Sequence, residues 1–238
     1  METETGKTNG QTSGKSPRVV RTAKAPPEPK GELIPTETSK LTIPRIETAQ
    51  IDVFCEGLGP LLIKAWSKEA RSDMLRKQQG LPVVKRVKDP QKEFHSCRYL
   101  DSKGRDYIPG HIIKKCLVSA GELVGVKKSL LEKVLFVLDK EVLIDCPKGP
   151  RMNEGMVRNR GRFGAVADIR FRPEYLNWGF KCKVEYHKGF LTPEAVLNLF
   201  QNAGYSCGLG EGRPQKGGEN GRFKPVKWEG GVKAAAAR

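Results

Sequence analysis

From Gly208 to Phe223 the chain reads GLGEGRPQKGGENGRF, so Arg213, Lys216 and Arg222 stand among closely spaced glycines. Glycine has no Cβ to hold a ligand away, so its backbone N–H groups can reach phosphate oxygens. Guanidinium and ammonium groups beside it can replace the counterions condensed on a polyanion. Gly208, Gly210 and Gly212 are the expected points of close approach, and Arg213, Lys216 and Arg222 the expected phosphate contacts. A plain flexible connection has the same composition.

A second run, RNRGRFGAVADIRFR over 158–172, combines cations with glycine and an aromatic ring. Arg158, Arg160 and Arg162 suit backbone clamps, and Phe163 suits a base-stacking ring, although the spacing departs from the signature of RNA-recognition sheets. Further along it, Arg170 and Arg172 share a strand face with Asp168. Residues 64–92 hold nine basic and three acidic residues, among them Lys85, Arg86 and Lys88, and Lys114 and Lys115 open a later helix. A solvated surface is the alternative reading for these lysines.

Catalysis has weaker support. His95, His111, His187, Asp73 and Asp89 are the residues that could position or deprotonate a ribose hydroxyl, but nothing in the sequence pairs them. Cys116, Ser119 and His111 fall on one helix, which does not make a triad, because a triad is defined by geometry. The six cysteines are scattered without a CxxC pair, and no carboxylate run has metal-ligand spacing. The expectation is a non-enzymatic chain with no metal and no cofactor.

The elements that must position these residues follow from hydrophobic periodicity. Glu47 to Cys55 alternates as a strand, and a short helix fits Glu69 to Gln78, followed by loop over 81–107. A helix fits Ile108 to about Gly125, with Ile112, Ile113, Cys116, Leu117 and Ala120 three and four apart. KKSLLEKVLFVLDKEVLID suits a helix and a hairpin alike; helix first and then a strand from Val142 to Asp145 is favoured. Residues 146–164 look like an exposed loop. Ala165–Phe171 and Trp178–Tyr186 alternate as two strands, expected to form a hairpin with one apolar and one basic face. Thr192 is a suitable N-cap, Pro193 a first helical residue and Gly204 a helix end, and a last strand runs from Arg222 to Trp228. The order β-α-β-β-α-β is the split βαβ of an α+β, ferredoxin-like or RNA-recognition core.

Across 238 residues the net charge is +16, from 43 Lys and Arg against 27 Asp and Glu. The excess falls mainly after residue 40, so it belongs to the expected fold rather than to a tail and suggests an anionic partner. Residues 1–40 are rich in Pro, Thr and Gly and read as a disordered arm. Residues 41–228 read as one binding domain with insertions at about 56–107 and 146–164, and 229–238 as a flexible tail. No apolar run is long enough for a bilayer span and the N-terminus lacks a secretory signal, so a cytoplasmic protein is expected.

The C-terminal segment FKCKVEYHKGFLTPEAVLNLFQNAGYSCGLGEGRPQKGGENGRFKPVKW, a strand, a helix and a glycine-rich loop before a final strand, resembles the RAMP superfamily of CRISPR RNA-binding proteins. The similarity is to the backbone subunit that polymerises along a guide RNA, and to viral relatives. It implies single-stranded RNA as ligand, with other copies of the chain and further ribonucleoprotein subunits as partners in a filament serving antiviral defence. It implies that the excursion holding Lys85, Arg86 and Lys88 touches nucleic acid or a neighbouring subunit. Some RAMP relatives cleave RNA without metal, so an endoribonuclease is one alternative. A phage protein that binds single-stranded DNA or serves in assembly is another.

Overall fold

Strand β1 (Thr48–Gly57) buries Ala49, Ile51, Val53 and Cys55 and turns Gln50, Asp52, Phe54 and Glu56 the other way. This period-two pattern, with a β-branched residue at two of its four buried positions, fixes both the strand and its register. The computed structural model describes residues 43–83, 87–161 and 164–234, and from Arg45 onward they belong to one unit. The expected disordered arm lies outside the described residues.

Between β1 and the first long helix come β2 (Leu61–Leu62), α1 (Lys68–Gln78), α2 (Pro90–Ser96) and β3 (Tyr107–Pro109). Helix α2 was not apparent in the sequence. It is seven residues long, buries only Phe94, and is started by the Asp89 carboxylate, which accepts from the N–H groups of Gln91 and Lys92. Helix α3 (Gly110–Gly121) follows, with Ile113, Cys116, Leu117 and Ala120 buried, and ends in a 3₁₀ turn closed by left-handed Gly125.

The ambiguous segment is both things in turn: helix α4 (Lys128–Val134), then strands β4 (Leu135–Val137) and β5 (Glu141–Asp145). Both strands pair antiparallel with β8 (Gly179–His187). The break between them is bridged by the Leu138 N–H, which donates to Lys183 O at 2.9 Å, and by the Asp139 carboxylate, which accepts from the Lys183 N–H at 2.6 Å. β4 and β5 are thus one interrupted strand beside β8, with a side chain standing in for a main-chain acceptor.

Next come β6 (Arg151–Gly161) and β7 (Gly164–Tyr175), then β8, α5 (Pro193–Asn202) and β9 (Phe223–Ala234). The main sheet has the order β3-β5-β8-β1-β9, with β4 beside β8. Taking β4 and β5 as one, the core order β9-β1-β8-β4/β5, linked through α3 and α5, is the α+β ferredoxin-like arrangement that the element order implies. Helices and sheet share one core, in which Trp178, Tyr175, Phe200 and Phe223 are the largest fully buried side chains.

Several expectations need correction. The segment 146–164 is not a loop: β6 pairs with β7 from Arg151↔Glu174 to Gly161↔Gly164. β7 therefore does not form a hairpin with β8 but joins a separate sheet of order β2-β7-β6. Periodicity missed β6 because this hairpin exposes apolar residues instead of burying one face; the cross-strand pair Met156 and Ile169 is 63% and 49% exposed. The second core strand is 135–145, and the second insertion runs from about 146 to 178. β9 also continues past Trp228, where the sequence reading ends it, to pair Ala234 with Ala49.

Candidate nucleic-acid interface

The glycine-rich loop begins where α5 ends. The Thr192 hydroxyl caps α5 by accepting from the Ala195 N–H at 3.1 Å. Past Asn202 the helix widens into a π turn, Ala203–Cys207, and stops at Gly208, not at Gly204 as the sequence suggests. The loop is a packed object rather than a slack connection. Its N–H groups at Gly208, Leu209, Glu211 and Gly221 donate to the carbonyls of Ala203, Gly221, Leu62 and Pro60 at 2.7–2.9 Å. Two glycines are dictated by this packing. Gly210, at φ +73°, would place a Cβ 2.2 Å from Leu62 O, and Gly221, at φ +67°, would place one 1.9 Å from Leu209 O. The Gly208 amide is already engaged and is not free for a phosphate.

What the packed loop does provide is a wall. Between it and helices α3 and α4 lies a cleft of about 610 Å³ whose lining includes Lys114, Lys115, Lys128, Arg213 and Lys216, with Glu132 as the one carboxylate. Lys115, Lys128 and Lys216 are exposed. Lys114 sits 4.1 Å from the centre of the Phe136 ring and donates to Glu132 O at 2.9 Å. The Arg213 guanidinium is held by Gly210 O at 3.3 Å and Gln215 Oε1 at 3.2 Å. Lys128 pairs with Glu122 at 2.8 Å. Gly208 and Cys116 also line the cleft. The Cys116 sulfur lies 3.3 Å from Gly208 O. Its hydrogen bond to Cys207, together with burial, pushes the Cys116 thiol well up. The same bond, helped by Ser206, Arg213 and Lys128, holds Cys207 down to about 6.

Of the residues singled out from sequence, the structure brings Lys114, Lys115, Gly208, Arg213 and Lys216 to this cleft. Lys128 belongs with them and was missed, since its place depends on how α4 packs. His111, Cys116 and Ser119 line it too, and the other expected nucleic-acid contacts lie elsewhere. Arg172, 11% exposed at its side chain, bonds Glu211 at 2.6 Å, and Arg170 lies 3.7 Å from the same carboxylate. These ion pairs join the β6–β7 hairpin to the glycine loop and occupy the two arginines. Lys88 is bound to Asp168 at 2.5 Å and to the Ile169 carbonyl, joining the α2 region to β7. Together with Arg170, it holds the Asp168 carboxyl below its ordinary value. Arg222 lies 5.2 Å from the Tyr205 ring centre and its Nε is buried without a hydrogen-bond partner. Gly210 contacts a smaller pocket next to the cleft, and Gly212 abuts Asn220. Arg158 is exposed on β6, where Arg160 also lies. Lys85, Arg86, Arg162 and Phe163 fall outside the described residues.

The basic sheet face is a further correction. Lys181 and Lys183 do point to the open face of the main sheet, but Arg170 and Arg172 belong to the other sheet. Among the described side chains, Asp52, Glu56, Asp139, Glu141, Asp145 and Glu185 accompany Lys181, Lys183 and Lys224 on that face. Lys181 is 3.2 Å from Asp52, and Lys224 is 3.6 Å from Glu56. Among the described side chains the face carries more carboxylates than ammonium groups because β5, rather than β7, is the neighbour of β8.

The histidines sit on separate elements. His95 is in α2, His111 opens α3 at the cleft, and His187 ends β8, where its Nδ1 accepts from the Gly189 N–H at 2.9 Å. Among the described residues, no group of three His, Cys, Asp or Glu side chains could hold a metal ion. No helix among them is long and apolar enough to cross a membrane.

No protein-family model matches the chain. No curated protein matches it either. Among solved structures, the chain is similar to one in the cryo-EM structure of the Type III-B Cmr-beta bound to cognate target RNA. The identity is 14% and the TM-score 0.46, over 77% of this chain and 60% of that one. This chain thus spans less than two thirds of the length of its neighbour.

Proposed function

We propose that the cleft between α3, α4 and the glycine-rich loop binds the phosphate backbone of a single-stranded nucleic acid, without cleaving it. The observation that carries this reading is the lining of the cleft: five cationic side chains against one carboxylate. A wall of packed backbone holds Arg213 in place, so less ordering entropy is lost when a phosphate arrives. A cationic cleft with no need for base complementarity suits a single strand. RNA is the favoured ligand on the resemblance of the 180–228 segment to RAMP proteins. The same resemblance supports a repeating subunit of a ribonucleoprotein in antiviral defence, contacting other copies of itself along the strand.

The test is a salt titration of binding to homopolymer RNA and DNA strands of equal length. Binding that falls linearly on a log–log plot is expected, with a slope of about −0.7 per phosphate contacted. Labelled RNA incubated without metal should remain intact. Failure to bind either polymer at low salt overturns the reading, and metal-independent cleavage overturns its non-catalytic part.

A further inference from the structure

Beside the cleft, and sharing Ile112 and Arg213 with it, is a second and smaller pocket of about 210 Å³. Its lining includes the buried Leu61, Ile108 and Leu209, Tyr99, and the charged Lys64, Glu211 and Arg213. The Tyr99 ring is set by Tyr107, with centres 5.7 Å apart. Gly210 presents bare backbone to the pocket and is locked there by its approach to Leu62 O. The volume is about seven waters' worth at ~30 Å³ each, and below the ~300–1,000 Å³ of a cleft for drug-sized ligands. It therefore accommodates one flat ring system rather than a whole nucleotide.

We infer that this pocket receives a single nucleobase turned out of the strand lying in the cleft, with its face on Tyr99 and its polar edge toward Glu211. The inference rests on the strand reading of the neighbouring cleft and adds to it a subsite for the base. The chemistry matches at each side. The apolar walls and the tyrosine ring take the two faces of a base, which every base offers whatever its sequence. The Glu211 carboxylate, already accepting from Arg172, retains lone pairs for an exocyclic amino group. Arg213, common to both spaces, is placed for the phosphate of the nucleotide whose base turns inward.

The experiment compares full-length protein binding to a base-bearing strand with binding to an abasic strand of the same length and charge. A parallel titration follows the fluorescence of a strand carrying 2-aminopurine. The base-bearing strand should bind about 5- to 150-fold more tightly, the span of one base–aromatic stack, and the 2-aminopurine emission should change on binding. Tyr99→Ala should remove that preference and leave the salt slope unchanged, whereas Tyr99→Phe should keep it. Equal affinity for the two strands, with the slope intact, overturns the base pocket and leaves the cleft reading standing. A preference that survives Tyr99→Ala also overturns it. Absence of binding to either strand overturns both readings.

Discussion

Glu211 is the residue on which the glycine loop and the β6–β7 insertion depend together. Its carboxylate faces Arg172 and Arg170, and Arg172 is nearly buried, with its Nε lacking a partner. Removing the carboxylate leaves a desolvated guanidinium with no counter-charge, which costs more than the ion pair itself contributes. Because Glu211 remains 31% exposed at its side chain, the cost falls below that of a fully buried pair. Glu211→Ala should lower stability by about 2–3 kcal/mol, read as a lower urea midpoint; an unchanged midpoint contradicts this account. Cys207 gives a second prediction at this scale. Its thiol is held down to about 6 from an ordinary 9.0, first by the hydrogen bond from Cys116. An acid whose folded value is depressed adds stability that is complete above its ordinary value and lost as pH falls through the folded one. The thiolate absorbance of the native protein should therefore titrate near pH 6, and stability should rise from pH 6 towards 9 by an amount that Cys207→Ser abolishes. A native protein with no thiolate below pH 8 would refute the assignment.

Among the elements, the glycine loop separates two kinds of glycine. Gly221 combines positive φ with a Cβ position 1.9 Å from a carbonyl oxygen, whereas Gly217, at φ +79°, faces open space. Gly217→Ala should cost only the left-handed strain, about 1 kcal/mol. Gly221→Ala must also move the Leu209 backbone and should cost more than twice as much, measured by denaturant unfolding; equal costs would show that the loop yields. This contrast also shows what the sequence could and could not reveal. β1, α3, β8 and α5 were legible because each buries one periodic face, as Val53, Leu117, Val184 and Leu199 do. β6 was not, because exposed Met156 on a projecting strand leaves no alternation to read, and α2 was too short, with Phe94 its sole buried residue. For the site, Lys114, Lys115, Arg213 and Lys216 stood out by charge and by their neighbours. The sign of the sheet face did not, since strand pairing alone decides whether β5, with Glu141 and Asp145, or β7, with Arg170, lies beside β8.

At the scale of the whole molecule, a charge of +16 is not spread evenly. The cleft concentrates cations, while the described open face of the sheet mixes six carboxylates with three lysines. General attraction between a basic protein and a polyanion would respond to any lysine, whereas a cleft responds only to its own. Lys115→Ala and Lys216→Ala should each reduce the magnitude of the salt slope by about 0.7, the share of one phosphate contact on a single strand. Lys183→Ala, on the sheet face, should leave the slope unchanged. Strand length then separates one copy from many. If each molecule engages its own stretch independently, the slope per bound protein becomes constant once the strand spans the cleft, and longer strands add copies without raising the affinity of each. Copies that also contact each other along the strand share the cost of ordering it, so affinity per protein should continue to rise with length while the salt slope per protein does not. Titration of strands of increasing length, with the mass of each complex measured alongside, reads both quantities. Rising stoichiometry at constant affinity per copy would mean independent neighbours and would remove the repeating-subunit part of the reading.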